Sequence, residues 1–123
     1  MKRDWDVVRA ILTAVEDRKE DGDAIDAIPD VSVAVFLHHA TILVGADLVE
    51  GKLYERPGHE PRAARLYRLT WKGHEFLDSI RHKSVWDKVK ANAEEKGLSL
   101  TFETIKLLAT SVIKHKLGID LNG

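Results

Sequence analysis

The chain opens on a run in which Trp5, Val8, Ile11, Leu12 and Val15 recur at three- and four-residue steps. That spacing places apolar side chains on one face of a helix and predicts one from about Asp4 to Lys19, ended by the charged run Glu16 to Asp23. Asp21-Gly22-Asp23 reads as a turn, and Ala24 to Ile28 as a short strand before Pro29. A second helix follows through Ala46, capped by Asp30 or Ser32, whose side chains accept hydrogen bonds from first-turn amides. Asp47 is placed to close it, since Asp tolerates the left-handed conformation that helix ends require.

From Leu48 the pattern changes to alternation. Leu48 to Glu55 and Arg65 to Leu69 read as the two strands of a hairpin. Between them Arg56 to Arg62 contains two prolines and a glycine, the composition of an exposed and mobile tip. Thr70 caps a helix through about Arg81 with Phe76, Leu77 and Ile80 facing inward. Ser84 with Asp87 has the form of a capping box and opens a helix to Lys96, stopped by Gly97. Thr101 starts the last helix. Its Phe102, Ile105, Leu108, Ala109, Val112 and Ile113 make one apolar stripe, widened by Leu107, before Gly118.

This order predicts a mainly α fold with a small β-hairpin, of the α+β class, and it resembles the order of winged helix-turn-helix domains, with the hairpin as the wing and two further C-terminal helices. Residues 1–83 form the winged module. Residues 84–123 form a helical extension packing on it in one compact domain, with the final helix covering the second one within the chain or across a dimer axis.

Composition narrows the function classes. The chain has 123 residues, 44% hydrophobic and 32% charged, as a soluble globular domain does. It has no cysteine, which excludes a disulfide framework, a thiolate zinc site and a cysteine nucleophile. Charges in Met1 to Asp6 stand where a signal peptide needs apolar residues, and the longest uncharged run, Val31 to Ala46, is too short to span a bilayer. A cytoplasmic protein with no membrane role is expected. Net charge is −1, unevenly spread: residues 1–51 hold 5 Lys/Arg against 11 Asp/Glu, and residues 52–83 hold 8 against 4. An anion-binding surface belongs in the middle third.

The helix over Ser32 to Ala46 stands where a recognition helix would project Arg, Lys, Asn or Gln to base edges, yet it carries no charged side chain. Val35, Ile42, Ala46, His39, Leu43 and Phe36 make its inward arc. Val33, Leu37 and Val44 extend the apolar surface and are candidates for a protein interface. The wing is the nucleic-acid candidate, with Lys52, Arg56, Arg62, Arg65 and Arg68 near His59, Tyr54 and Tyr67; the alternative is a solvated edge whose charges deter strand pairing. His74, Asp78 and His82 fall at four-residue steps, a spacing that suits metal, but three ligands in a column on one helix do not converge tetrahedrally, so no metal is expected. His39 is expected to be a hydrogen-bonded core histidine. Gly45 to Lys52 has one residue too many for a phosphate loop, and no serine has a nucleophile-elbow setting. Neither an enzyme, a cofactor nor a small-molecule substrate is indicated.

Leu69-Thr70-Trp71-Lys72-Gly73 resembles the strand-to-helix junction of winged-helix regulators. Together with Met1-Lys2-Arg3-Asp4-Trp5-Asp6, His39, the continuation His74-Glu75-Phe76-Leu77-Asp78, Trp86-Asp87-Lys88-Val89-Lys90 and Leu98-Ser99-Leu100-Thr101-Phe102, it is similar to a family of uncharacterised phage, prophage and bacterial proteins. The resemblance implies a winged-helix-like fold and a mobile-element origin. The family pattern has acidic residues after the serine matching Ser32 and glycine at Asp47, from which Val33, Ala34, Val35 and Asp47 depart. The function expected is a DNA-associated regulator, acting as a dimer, that binds through its wing. The alternative is a module that binds a host protein without touching DNA.

Overall fold

A computed structural model describes residues 1–55, 58 and 61–117. Among these residues it contains five helices and one antiparallel hairpin, an α+β fold with a small β wing. The chain divides into two units, Met1–Leu77 and Asp78–Gly123.

In the first unit, α1 (Trp5–Asp17) buries Val8, Ile11, Leu12 and Val15. Asp4 caps it by accepting from the Asp6 and Val7 amides, and Trp5 packs against Phe76 with ring centroids 5.9 Å apart. The helix stops at Asp17 rather than Lys19 because Arg18 is extended and spends its guanidinium on carbonyls: Nε donates to Asp23 O (3.0 Å), Nη1 to Tyr67 O (2.9 Å) and Nη2 to Gly22 O (2.9 Å). The strand expected at Ala24 to Ile28 reduces to one bridge, in which Ile25 and Leu66 exchange both backbone hydrogen bonds.

Helix α2 (Val33–Gly45) is capped by Ser32, whose Oγ accepts from the Val35 amide; Asp30 instead takes a left-handed turn with φ 64°. The buried residues are Phe36, His39, Ala40 and Leu43. This corrects the expected inward arc, since Val35 and Ile42 are half-buried and Ala46 is exposed. The helix is rolled toward Ala40 by His39. The Asp4 amide donates to His39 Nε2 (2.8 Å), so Nδ1 carries the ring hydrogen and donates it to Val35 O (2.7 Å). The end of α2 is a Schellman turn: Leu48 N–H donates to Leu43 O, Asp47 N–H to Val44 O, and Asp47 sits at φ 61°.

Strands β1 (Val49–Tyr54) and β2 (Ala63–Leu69) pair with a bulge at Glu50/Gly51, so that Glu50 faces Arg68 while Gly51 faces Leu66. Tyr67 is the extra residue, and its carbonyl is the one Arg18 binds. Val49, Ala64, Leu66 and Leu69 are buried on the inner face. The expected mobile tip falls largely on residues outside the described set, Arg56, Pro57, His59 and Glu60 among them.

Helix α3 (Trp71–Ile80) starts where β2 ends. Thr70 Oγ1 accepts from the Gly73 amide (3.0 Å) and donates to Asp47 O (2.6 Å), while Thr70 N–H donates to Leu48 O (3.1 Å). A Cβ on Gly73 would stand 2.0 Å from the Leu48 carbonyl oxygen, a backbone atom held by that bond.

In the second unit, α4 (Lys83–Glu95) buries Val85, Trp86, Val89 and Ala93, and α5 (Phe102–Lys116) buries Ile105, Leu108, Ala109 and Val112. Ser84 is not the cap of α4. The helix begins two residues earlier than a Ser84 cap would place it, the cap position His82 makes no side-chain cap bond, and Ser84 Oγ accepts from Lys116 Nζ (2.9 Å). That bond joins the start of α4 to the end of α5, so the two helices run antiparallel. Gly97, at φ 67°, ends α4 in the same Schellman turn as Asp47 ends α2. Thr101 caps α5 by accepting from the Thr104 amide (3.1 Å). Leu107 does not widen the buried stripe; it is 73% exposed. The expected stop at Gly118 lies outside the described residues.

Two substitutions test these backbone assignments by thermal or denaturant unfolding. Asp47→Gly relieves a side chain held in left-handed backbone and is expected to add about 0.5–1 kcal/mol of stability. Gly73→Ala forces α3 away from β1 and is expected to cost about 2–3 kcal/mol; an unchanged midpoint would contradict the close approach.

Candidate nucleic-acid interface

Alternation along β1 sends Glu50, Lys52 and Tyr54 to the outer face of the hairpin, all exposed. On β2 the bulge breaks the period of two, so that Arg65 and Arg68, three residues apart, both lie on that face opposite Lys52 and Glu50. Arg68 is not available as an unpaired cation: its Nη1 donates to Glu50 Oε2 at 2.8 Å. Both partners are mostly exposed, and such a pair contributes at most about 1 kcal/mol. Its consequence is local neutralisation.

Lys52 and Arg65 differ. They are direct cross-strand partners of the same charge, an arrangement that costs rather than stabilises. Among the described residues no carboxylate pairs with either. Both lean on the Tyr54 ring instead, the Lys52 ammonium 5.4 Å and the Arg65 guanidinium 5.6 Å from its centroid. Tyr54 is 38% exposed. Ala63 faces it across the ladder and is too small to cover it. Arg62 is exposed beside this group, its backbone amide donating to Tyr54 O at 2.8 Å. The structure therefore brings Lys52, Arg62 and Arg65 together around an aromatic ring, takes Arg68 out of the set, and leaves Arg56 outside the described residues.

The other candidates disperse. Of the three apolar positions on α2, Val33 is 66% exposed, whereas Leu37 and Val44 are half-buried. His74 Nδ1 stands 3.6 Å from the Glu16 carboxylate, and Asp78 pairs with Arg81. His82 lies beyond the end of α3 in extended backbone, so the four-residue helical column breaks after Asp78. Among the described residues no three His, Asp or Glu side chains gather as a metal site. Among the described residues no helix is long and apolar enough to cross a membrane.

Two residues in this unit escape a reading of the sequence. Trp71, at the start of α3, is 81% exposed and donates from Nε1 to Glu75 Oε1 (2.8 Å). Its helical phase, opposite to Phe76, Leu77 and Ile80, carries that signal. Arg18 has no such signal, because its partners are backbone carbonyls.

No solved structure matches the chain. A protein of Haemophilus influenzae, described as an uncharacterized protein, is 34% identical over 120 residues, which cover 96% of this chain and 100% of the relative. A family model described as hypothetical protein, DUF2513, matches residues 2–99, and the chain belongs to that family.

Proposed function

We propose that the protein is a non-enzymatic winged-helix binding module of mobile-element origin that acts as a DNA-associated regulator, holding the phosphate backbone with the outer face of its hairpin. The observation that carries this reading is the opposed pair Lys52 and Arg65, two like charges kept face to face around an exposed tyrosine with no carboxylate among the described residues paired to either. A polyanion supplies the missing countercharge. Phosphate binding of this kind gives affinity and register but little base information. Helix α2 offers no cation to a groove, and the acidic first third of the chain opposes a close approach by that side, so the wing leads. The order helix, bridge, helix, hairpin, helix is that of winged-helix domains.

One observation favours a second reading, a module that binds a host protein. Val33 stays exposed on a helix with no charge, continuous with half-buried Leu37 and Val44. A pull-down with and without nuclease separates the two partners.

Titration of labelled duplex DNA across a range of salt concentrations tests the first reading. Lys52→Ala with Arg65→Ala is expected to weaken binding uniformly across sequences and to reduce the salt slope by about 2, one unit for each phosphate no longer neutralised. Arg62→Ala with Arg65→Ala should act alike. Unchanged affinity and slope in both double variants would exclude the wing.

A further inference from the structure

The groove between α4 and α5 holds a cavity of roughly 250 Å³, lined by Lys88 and Asn92 from α4 and by Ser111, Val112 and His115 from α5. Lys88 and Asn92 are one turn apart, as are Ser111 and His115, so two pairs of polar side chains face each other across a floor that includes buried Val112. Several other polar side chains on these helices are engaged within the fold: Lys83 pairs with Asp87, Lys116 donates to Ser84, Lys90 lies over Trp86 and Lys106 over Phe102. Among the described residues the side chains of Lys88, Asn92, Ser111 and His115 have no hydrogen-bonding partner. Among the described residues no carboxylate lines the cavity. The helix neighbours of Lys88 at three and four residues are Ser84, Val85, Ala91 and Asn92, and those preceding His115 are Ser111 and Val112, so neither base has an acid beside it on its own helix.

The chemistry of this set is that of donors. The lining residues carry an ammonium, an amide, a hydroxyl and an imidazole, and of these groups the ammonium can only donate while each of the others has at least one donor to offer. A ligand that only accepts, carries negative charge and presents oxygens in several directions suits it. The volume falls below that of most organic-ligand sites, which fits a compact group. We propose that the α4–α5 groove binds a small tetrahedral oxyanion of the phosphate type, with Lys88 supplying charge and Asn92 and Ser111 fixing its orientation. This site shares no residue with the wing and does not depend on DNA binding.

The test is titration of the full chain with inorganic phosphate at constant ionic strength, followed by calorimetry and by amide chemical shifts. Saturable one-to-one binding, with shifts centred on Lys88, Asn92 and Ser111, is the expected result. Lys88→Ala should weaken it about tenfold or more, as loss of a hydrogen bond to a charged group does, and Ser111→Ala less. Both replace exposed helical side chains by alanine, so unchanged melting curves are expected to accompany the loss. Lys52→Ala with Arg65→Ala should leave it intact. A parallel arm with a phosphate monoester distinguishes sources: tighter binding identifies a phosphorylated metabolite, equal binding free phosphate. Absence of saturation, or binding that survives Lys88→Ala with Ser111→Ala but is lost in the wing variant, would overturn the site.

Discussion

The first unit depends on one close backbone approach, that of Gly73 to the Leu48 carbonyl. Four segments meet there: α2 has just ended, β1 begins, β2 has just ended and α3 begins. Thr70 bonds to both sides of the crossing, through Oγ1 to the Asp47 carbonyl and the Gly73 amide and through its own N–H to Leu48. Any side chain at position 73 would meet a carbonyl that is already hydrogen-bonded. The hairpin is therefore clamped at its base, and the direction in which its outer face points is set by backbone atoms rather than by flexible side-chain packing.

The face so directed contains a local conflict. Lys52 and Arg65 oppose each other in the ladder although a carboxylate at either position would stabilise the pair. Glu50 and Arg68, one step away on the same face, show the arrangement that stability alone favours. Sequences that violate a local rule without an internal compensation tend to do so where something outside the chain is bound. The Tyr54 ring softens the conflict by cation–π attraction but removes no charge.

Much of the architecture is legible in the sequence because its causes are local. The apolar period of α1 and α5, the cap at Thr101, the turn at Gly97 and the left-handed role of Asp47 each depend on residues within a turn of one another. What escapes depends on distant partners. Helix α2 is apolar nearly all round, so its phase is only partly legible: Phe36, His39 and Leu43 are read inward and are buried, but Ala40 is missed, and the roll is fixed by His39 meeting the Asp4 amide, 35 residues away. The Ser84 hydroxyl has a capping signature but is bound by Lys116, 32 residues away. The wing cations stand out in the sequence as a group, yet which of them remain unpaired depends on the strand register, which composition does not encode.

That register turns on a single residue. Without the bulge, Gly51 would face Tyr67 and Lys52 would face Leu66, turning a core leucine to solvent and Arg65 inward. The extra residue is tolerated because Arg18 takes up the carbonyl of Tyr67. Cationic face and apolar face are thus kept in phase by chain length, not by residue identity. Along a lineage, point substitutions can tune this hairpin one side chain at a time; loss of the Tyr67 codon would remove the bulge and still leave Leu66 inward and Arg65 outward, whereas one codon added to β2 would need a second bulge to keep its inside from becoming its outside.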